Sequence, residues 1–516
     1  MALASAYAMA LLGLKGIPIL VEADISSNLP AFNLVGLPDA SLSEASSRVR
    51  SACSNTGFSL PARRITVNLS PAAVPKHGSA FDLSIAVAVL CAAGQFSIQH
   101  TRSSVFIGEL ALDGSIRRVS GVLAMVLAAA RAGFEIVYVP TANLAEASCV
   151  EGVKVIAVSH LGEVLNGFGV ATKALRSTEI VNSPAMVTRE AQNLCMSEVR
   201  GQAEAVDAAV VAAAGGHHMI MVGTPGSGKT MIAQRMHTLL PDLSQEEAIE
   251  LAAMRSLVNR QSFDTLDYAA PLEAPHHSAS MVSVIGGGSG VPKPGLASLA
   301  SHGVLFLDEA PEFSAVTIDA LRQPLESGEI TLSRATASVQ YPAKFQLVLA
   351  ANPCPCGKGQ LKTDACQCAE RVKARYLAKI SGPILDRLDV QLSVRPVSAA
   401  VLSAGSDSAE TSPQLRLRVA EARNRAASRL KPLGLSLNAQ VPGSLLRTEL
   451  RINSGSTKSL DDALQRGRIS MRGYDKCLRL AWTNADLGGR IEPNSGDVAK
   501  ALWLRGVASQ LTLSHG

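Results

Sequence analysis

Eight consecutive residues, Gly223, Thr224, Pro225, Gly226, Ser227, Gly228, Lys229 and Thr230, have the spacing GxxxxGK(S/T). That spacing suits a polyphosphate. Glycines let the backbone wrap the anion, and a helix that starts at the lysine offers free N–H groups to it. In such a loop Lys229 reaches the β- and γ-phosphates and Thr230 ligates Mg²⁺. Further along, the apolar run 303–307 ends in two carboxylates, Asp308 and Glu309. The first is placed to hold Mg²⁺ through its water shell, the second to polarise an attacking water. Together these residues predict hydrolysis of a nucleoside triphosphate, with ATP and Mg²⁺ as cofactors. A second cluster is made of thiols: Cys354 and Cys356, then Cys366 and Cys368. Four cysteines in one loop favour a structural Zn²⁺ with tetrahedral thiolate ligands over disulfides, although CxC pairs are tighter than the usual CxxC. Reduced, metal-free thiols are the alternative. His276 and His277 have no carboxylate at ligand spacing, and structural hydrogen bonding is their expected role.

These groups need elements to hold them. Residues 218–222 read as a buried strand leading into the glycine loop, and 231–239 as the helix leaving it. Strand-like runs at 17–21, 64–69, 104–108 and 136–140 alternate with alanine-rich helical stretches at 80–93 and 121–132, which predicts an α/β domain over residues 1–165. A polar stretch, 166–195, reads as a linker, 196–395 as an α/β ATPase core, 396–412 as a second linker, and 413–516 as a helical domain. In that last region Leu415, Val419, Ala422, Ala426 and Leu430 share one helix face, with Arg418, Arg425 and Arg429 on another. It carries 17 Lys and Arg against 8 Asp and Glu, whereas the rest of the chain is slightly acidic. A basic module of this kind points to a polyanionic partner. Aromatics make up only 4% of the sequence, so base-stacking platforms are not expected. The apolar N-terminal stretch has no preceding positive charge and is broken by Lys15, Gly16 and Pro18, which disfavours a signal peptide. With no apolar run of membrane-spanning length, a cytoplasmic protein without membrane contact is expected.

Longer strings carry a family resemblance. APHHSAS (274–280), IGGG (285–288), GVLFLDEAPEF (303–313), LRQPLESGEITLSRA (321–335), ANPCPCG (351–357) and SGPILDRLDV (381–390) resemble the magnesium-chelatase-like AAA+ ATPases of the YifB/ComM type. The likeness extends from PAAVPKHGSAFDLSIAVAVL (71–90) to RGYDKCLRLAWTNADL (472–487). It implies an α/β chain with a Lon-like (ribosomal S5 domain 2-like) N-terminal domain. An AAA+ core with helix-2 and pre-sensor-1 insertions and a C-terminal helical lid would follow. It also implies a homo-hexameric DNA helicase that promotes branch migration in recombination or natural transformation. Asn352 stands where AAA+ proteins carry the polar residue that orients water. Arg387 lies in a segment resembling the one that presents an arginine finger to the neighbouring subunit. Arg472 lies in one resembling the lid segment whose arginine touches the γ-phosphate. Glu273 and Leu296 depart from the family's usual basic and acidic residues, outside the nucleotide motifs.

A Lon-like fold raises Ser–Lys peptide hydrolysis as a second chemistry. Ser79 lies near the nucleophile's place, but the stretch 108–123 resembles the segment that ends at Lon's catalytic lysine, and here it ends at Leu123. A leucine cannot act as a base, so no peptidase activity is expected. Two glycine- or turn-rich segments, 286–295 and 329–341, are candidate channel loops, with Lys293 and Arg334 as candidate contacts to single-stranded or branched DNA. The competing readings are a magnesium-chelatase-type motor subunit and a protein-remodelling ATPase. Against the latter, the glycine-rich loop has no aromatic residue.

Overall fold

Along Lys15–Ser26 every second side chain from Ile19 to Ile25 is buried, the period that a strand with one covered face requires. The computed structural model describes residues 2–36, 39–172, 194–258, 266–288, 291–334, 338–358, 366–397 and 409–506. Most of the two expected linkers, at 173–193 and 398–408, lies outside the described residues.

The N-terminal part is built on a seven-stranded sheet of β1 (Ala2–Leu12), β2 (Lys15–Ser26), β3 (Ala31–Val35), β4 (Arg64–Ser70), β5 (Ser104–Phe106), β6 (Ile136–Pro140) and β7 (Lys154–Val158). Their order is β3-β4-β2-β1-β5-β6-β7, and β1 and β2 form an antiparallel hairpin through a turn at Gly13 and Leu14. Helix Asp82–Ala92, buried along its whole length, packs on β1 and β2. Helix Val122–Arg131 also packs on β1 and β2, and against helix Gln245–Leu257 of the following region. The Gly121 N–H donates to Ser256 Oγ at 3.1 Å, and Ser256 Oγ donates to Glu146 at 2.6 Å.

The central part holds five parallel strands: β8 (Met219–Gly223), β9 (Leu272–Glu273), β10 (Val304–Leu307), β11 (Gln346–Ala351) and β12 (Val390–Val394). The order is β9-β10-β11-β8-β12. β8, β10 and β11 are buried throughout, as strands covered on both faces must be, and their sequences are accordingly apolar runs without alternation. Because the strands run parallel, Gly223, Asp308 and Asn352 all emerge at one edge, the carboxyl edge where open α/β sheets bind ligands.

The C-terminal part is helical, with Ser412–Leu430, Ser454–Gln465, Met471–Leu487 and Ser495–Trp503 as its main helices. Leu415, Val419, Ala422, Ala426 and Leu430 are buried and share one apolar cluster with helix Ala203–Gly215 and the parallel sheet. The arginines beside them are engaged rather than free. Arg418 pairs with Glu410, Arg425 with Glu421, and Arg429 with Asp486 while lying 4.3 Å over the Trp482 ring. Among the described residues no helix is long and apolar enough to cross a membrane.

Candidate nucleotide site

β8 runs directly into the glycine loop and the loop into helix Lys229–Met236. Gly226 and Gly228 take φ of 75° and 92°, left-handed values that side chains with a Cβ avoid. The loop's hydroxyls, Thr224 Oγ1 and Ser227 Oγ, are buried and have no hydrogen-bond partner. Such orphaned groups fit a loop shaped for an anion's oxygens. Lys229 Nζ donates to the Gly223 and Thr224 carbonyls at 2.8 and 2.9 Å and lies 3.4 Å from Asn352 Oδ1. Burial lowers its pKa, while Asp308 and Glu309 work in the opposite direction. Thr230 Oγ1 donates to Asp308 Oδ2 at 2.7 Å. Pro225, Gly226, Gly228, Lys229 and Thr230 line a cleft of about 380 Å³ with Met231, Asp308, Glu309, Ala351 and Asn352.

Asp308 and Glu309 leave β10 in a sharp turn. Glu309 has φ 49°, one of two left-handed non-glycine residues among those described, and its N–H donates to Asp308 Oδ1 at 2.9 Å. Its carboxylate lies 3.5 Å from His277 Nδ1. Sequence reasoning missed this histidine as a site residue. It looked for metal-ligand spacing, whereas the contact joins two segments distant in the chain. His276 follows the bland expectation in bonding Ser278 Oγ at 2.8 Å.

Neither Arg387 nor Arg472 lines the cleft. They stand beside each other outside it. Arg387 pairs with Glu326 and donates to the Pro383 carbonyl at 2.6 Å, its Nε buried without a partner. Burial lowers its pKa, and the charges of Arg322 and Arg472 add to that. Arg472, largely exposed, donates to Asp386 at 3.1 Å. Arg479, on the same helix as Arg472, donates to the Val441 carbonyl at 2.8 Å. Behind the pair lies a buried network. Asp389 accepts from Lys476 Nζ at 2.7 Å and meets His217 Nδ1 at 2.8 Å, and His217 Nε2 reaches Thr483 at 2.8 Å. Burial opposes ionisation of Asp389, but Lys476 and His217 outweigh it and hold the carboxyl below the usual range. Lys476 is one helical turn beyond Arg472, so this network ties the helix carrying Arg472 to the segment carrying Arg387.

The central part also holds two short antiparallel pairs. Gly286–Gly287 pairs with Lys293–Pro294, and Glu329–Ser333 pairs with Ser338–Pro342. They adjoin each other: Tyr341 donates to the Pro292 carbonyl at 2.7 Å, and a Cβ on Gly287 would stand 3.4 Å from Arg334 Nη2. Lys293 and Arg334 are both exposed. On its other side the second hairpin meets the β1–β2 turn, where a Cβ on Gly13 would come to 2.3 Å from Val339. The four clustered cysteines also converge. The Cys354, Cys356 and Cys366 sulfurs are 3.3 to 3.6 Å apart, and all four sulfurs lie within 4.8 Å of one another. In the N-terminal sheet region Ser79 Oγ donates to Glu109, and Leu123 is buried in an apolar cluster.

Residues 195–402 match the family model described as magnesium chelatase, subunit ChlI; 21–143 match subunit ChlI of Mg-chelatase; 409–505 match the ChlI C-terminal model. The chain is 40% identical over 512 residues to the competence protein ComM of Haemophilus influenzae, covering 99% of both chains. The chain belongs to the magnesium-chelatase-like family of the ComM and YifB type. Within this family it is 40% identical to the YifB protein of Escherichia coli over 94% of both chains. A Mycobacterium tuberculosis relative is 46% identical over 98% of this chain and 99% of its own. An ATPase-type motor with a mixed α/β body and a helical C-terminal region is the family's common ground, and ATP with Mg²⁺ its cofactors.

Proposed function

We propose that the chain is one subunit of a homo-hexameric DNA translocase whose ATP hydrolysis drives branch migration in recombination or natural transformation. The observation that carries this reading is an incomplete site. The cleft gathers a phosphate loop, two carboxylates and Asn352, while both candidate arginines stand outside it. A transition state that spreads negative charge over phosphate oxygens needs a cation, and a neighbouring subunit's Arg387 supplies it in a ring. Arg472, beside Arg387 but on the lid, moves toward the γ-phosphate when the lid closes over bound nucleotide.

Within the cleft Lys229 and the loop N–H groups would hold the phosphates, and Thr230 and Asp308, already in contact, would hold Mg²⁺, which would supply positive charge against the phosphates. Glu309 takes the proton of the attacking water, with His277 orienting its carboxylate and Asn352 placing the water. The four thiols hold a structural Zn²⁺. The adjoining hairpins present Lys293 and Arg334 to the phosphates of single-stranded or branched DNA, a contact that ignores sequence and weakens with salt. The N-terminal Lon-like domain, with Leu123 at the catalytic lysine's place, is a platform for ring formation or DNA.

The testing experiment measures ATP turnover with and without single-stranded and forked DNA, then strand displacement, at two salt concentrations. Stimulation by DNA that falls with salt, and displacement lost in the Lys293→Ala, Arg334→Ala double variant, are the expected results. ATPase indifferent to every DNA would remove the translocase reading. It would favour the second, a chelatase-type motor that remodels a protein partner, which the description of the matching family models supports.

A further inference from the structure

The cysteine loop does more than stand near the nucleotide site. Cys354 follows Asn352 by two residues, and its side chain is wholly buried. The Gly357 N–H donates to the Cys354 carbonyl at 3.0 Å, folding the loop back on itself. There Gly357, at φ 75°, is pressed against the phosphate loop: a Cβ would lie 2.8 Å from Cγ and 3.0 Å from Cδ of Pro225. Atoms at such distances leave no room for a side chain, so cysteine loop and phosphate loop are in direct van der Waals contact. The sulfur spacing matches a bound ion. With Zn–S bonds of about 2.3 Å a tetrahedral site sets its sulfurs about 3.8 Å apart, and three of the pairs here are at 3.3 to 3.6 Å.

We infer that zinc held by Cys354, Cys356, Cys366 and Cys368 acts as a clamp on the phosphate loop, fixing Pro225 from outside and Asn352 from the strand end, so that metal occupancy sets nucleotide affinity. This rests on the zinc reading above and adds its consequence for the neighbouring site. Zn²⁺ replaces the four thiol protons on binding, and no redox change is involved. A metal-free loop keeps the nucleotide residues but loses the wall that presses on Pro225. The ordering entropy of the loop is then charged against nucleotide binding.

The test uses the full-length protein. Zinc per chain is measured by mass spectrometry, and affinity for a fluorescent ATP analogue by titration. Wild type is compared before and after zinc removal with a chelator, and again after zinc is restored. About one zinc per chain is expected, with removal weakening nucleotide binding at least fivefold and re-addition restoring it. The Cys356→Ser, Cys366→Ser variant should copy the stripped protein. Because that variant risks misfolding, a second pair reads the contact itself. Gly357→Ala should keep its zinc yet bind nucleotide several-fold more weakly, and Pro225→Ala added to it should recover part of the loss, since the shorter side chain makes room. A chain that never holds zinc overturns the metal reading and the clamp together. A chain that holds zinc but binds nucleotide within twofold with and without it overturns the clamp alone.

Discussion

Glu309 is held in a backbone conformation that most residues avoid, and its carboxylate lies beside His277. Strain of this kind persists only where surrounding structure enforces it, here the Asp308 bond to its N–H. The proposed division of labour, Asp308 for metal and Glu309 for water, gives a separable outcome. Glu309→Gln should bind ATP as wild type does while turnover falls by about 10²-fold or more, measured by analogue titration and steady-state hydrolysis. Equal losses in binding and turnover would place Glu309 with the metal instead. At this scale the sequence was most legible. The glycine spacing and the acidic pair are local in the chain, and their neighbours in space follow from it. His277 and the Glu326 partner of Arg387 were not legible, because both contacts join segments whose approach depends on how the sheet is wound.

Helix Gln245–Leu257 is the wedge between the N-terminal part and the central part, packed on helix Val122–Arg131 on one side and on Leu296 and Leu299 on the other. One end meets Gly121 and Glu146 through Ser256, and the other is pinned by His302, the second left-handed residue, at the entry to β10. His302 lies 3.0 Å from both Glu247 and Glu250. Burial disfavours its charge, but the two carboxylates prevail and raise its pKa to about 9, from an ordinary 6.5. A raised folded-state value means that the stabilisation is complete below pH 6.5 and is lost as pH climbs through 9. The thermal midpoint should therefore decline between these limits, and His302→Gln should flatten that part of the profile. An unchanged slope in the variant would show that other groups set it. The parallel strands were readable as apolar runs before glycine or acid. Helix Gln245–Leu257 was not readable as a wedge, since its amphipathic pattern shows that it is covered but not by which neighbour. The lid illustrates the same limit. Its net positive charge is evident from composition, yet Arg425 and Arg429 are drawn into pairing with Glu421 and Asp486, which composition does not show.

If Arg387 serves a neighbouring subunit as proposed, the interface is head-to-tail and forms a ring where its rotation closes. Lys229→Ala lacks a working phosphate loop but keeps its finger; Arg387→Ala lacks the finger but keeps the loop. Each alone should be inactive. Mixed in equal amounts they should regain roughly a quarter of wild-type turnover, since random assembly leaves that share of interfaces with both parts intact. No recovery in mixtures that co-sediment with ATP would show that the finger acts within its own chain. The contact between the Gly13 turn and Val339 bears on such an assembly. Each hairpin would be backed by its own N-terminal sheet on one side only, so the ring's two mouths would differ, one collared and one open. A strand threading that ring would meet an asymmetric passage, and which mouth is collared would follow from a turn where Gly13 has no room for a Cβ.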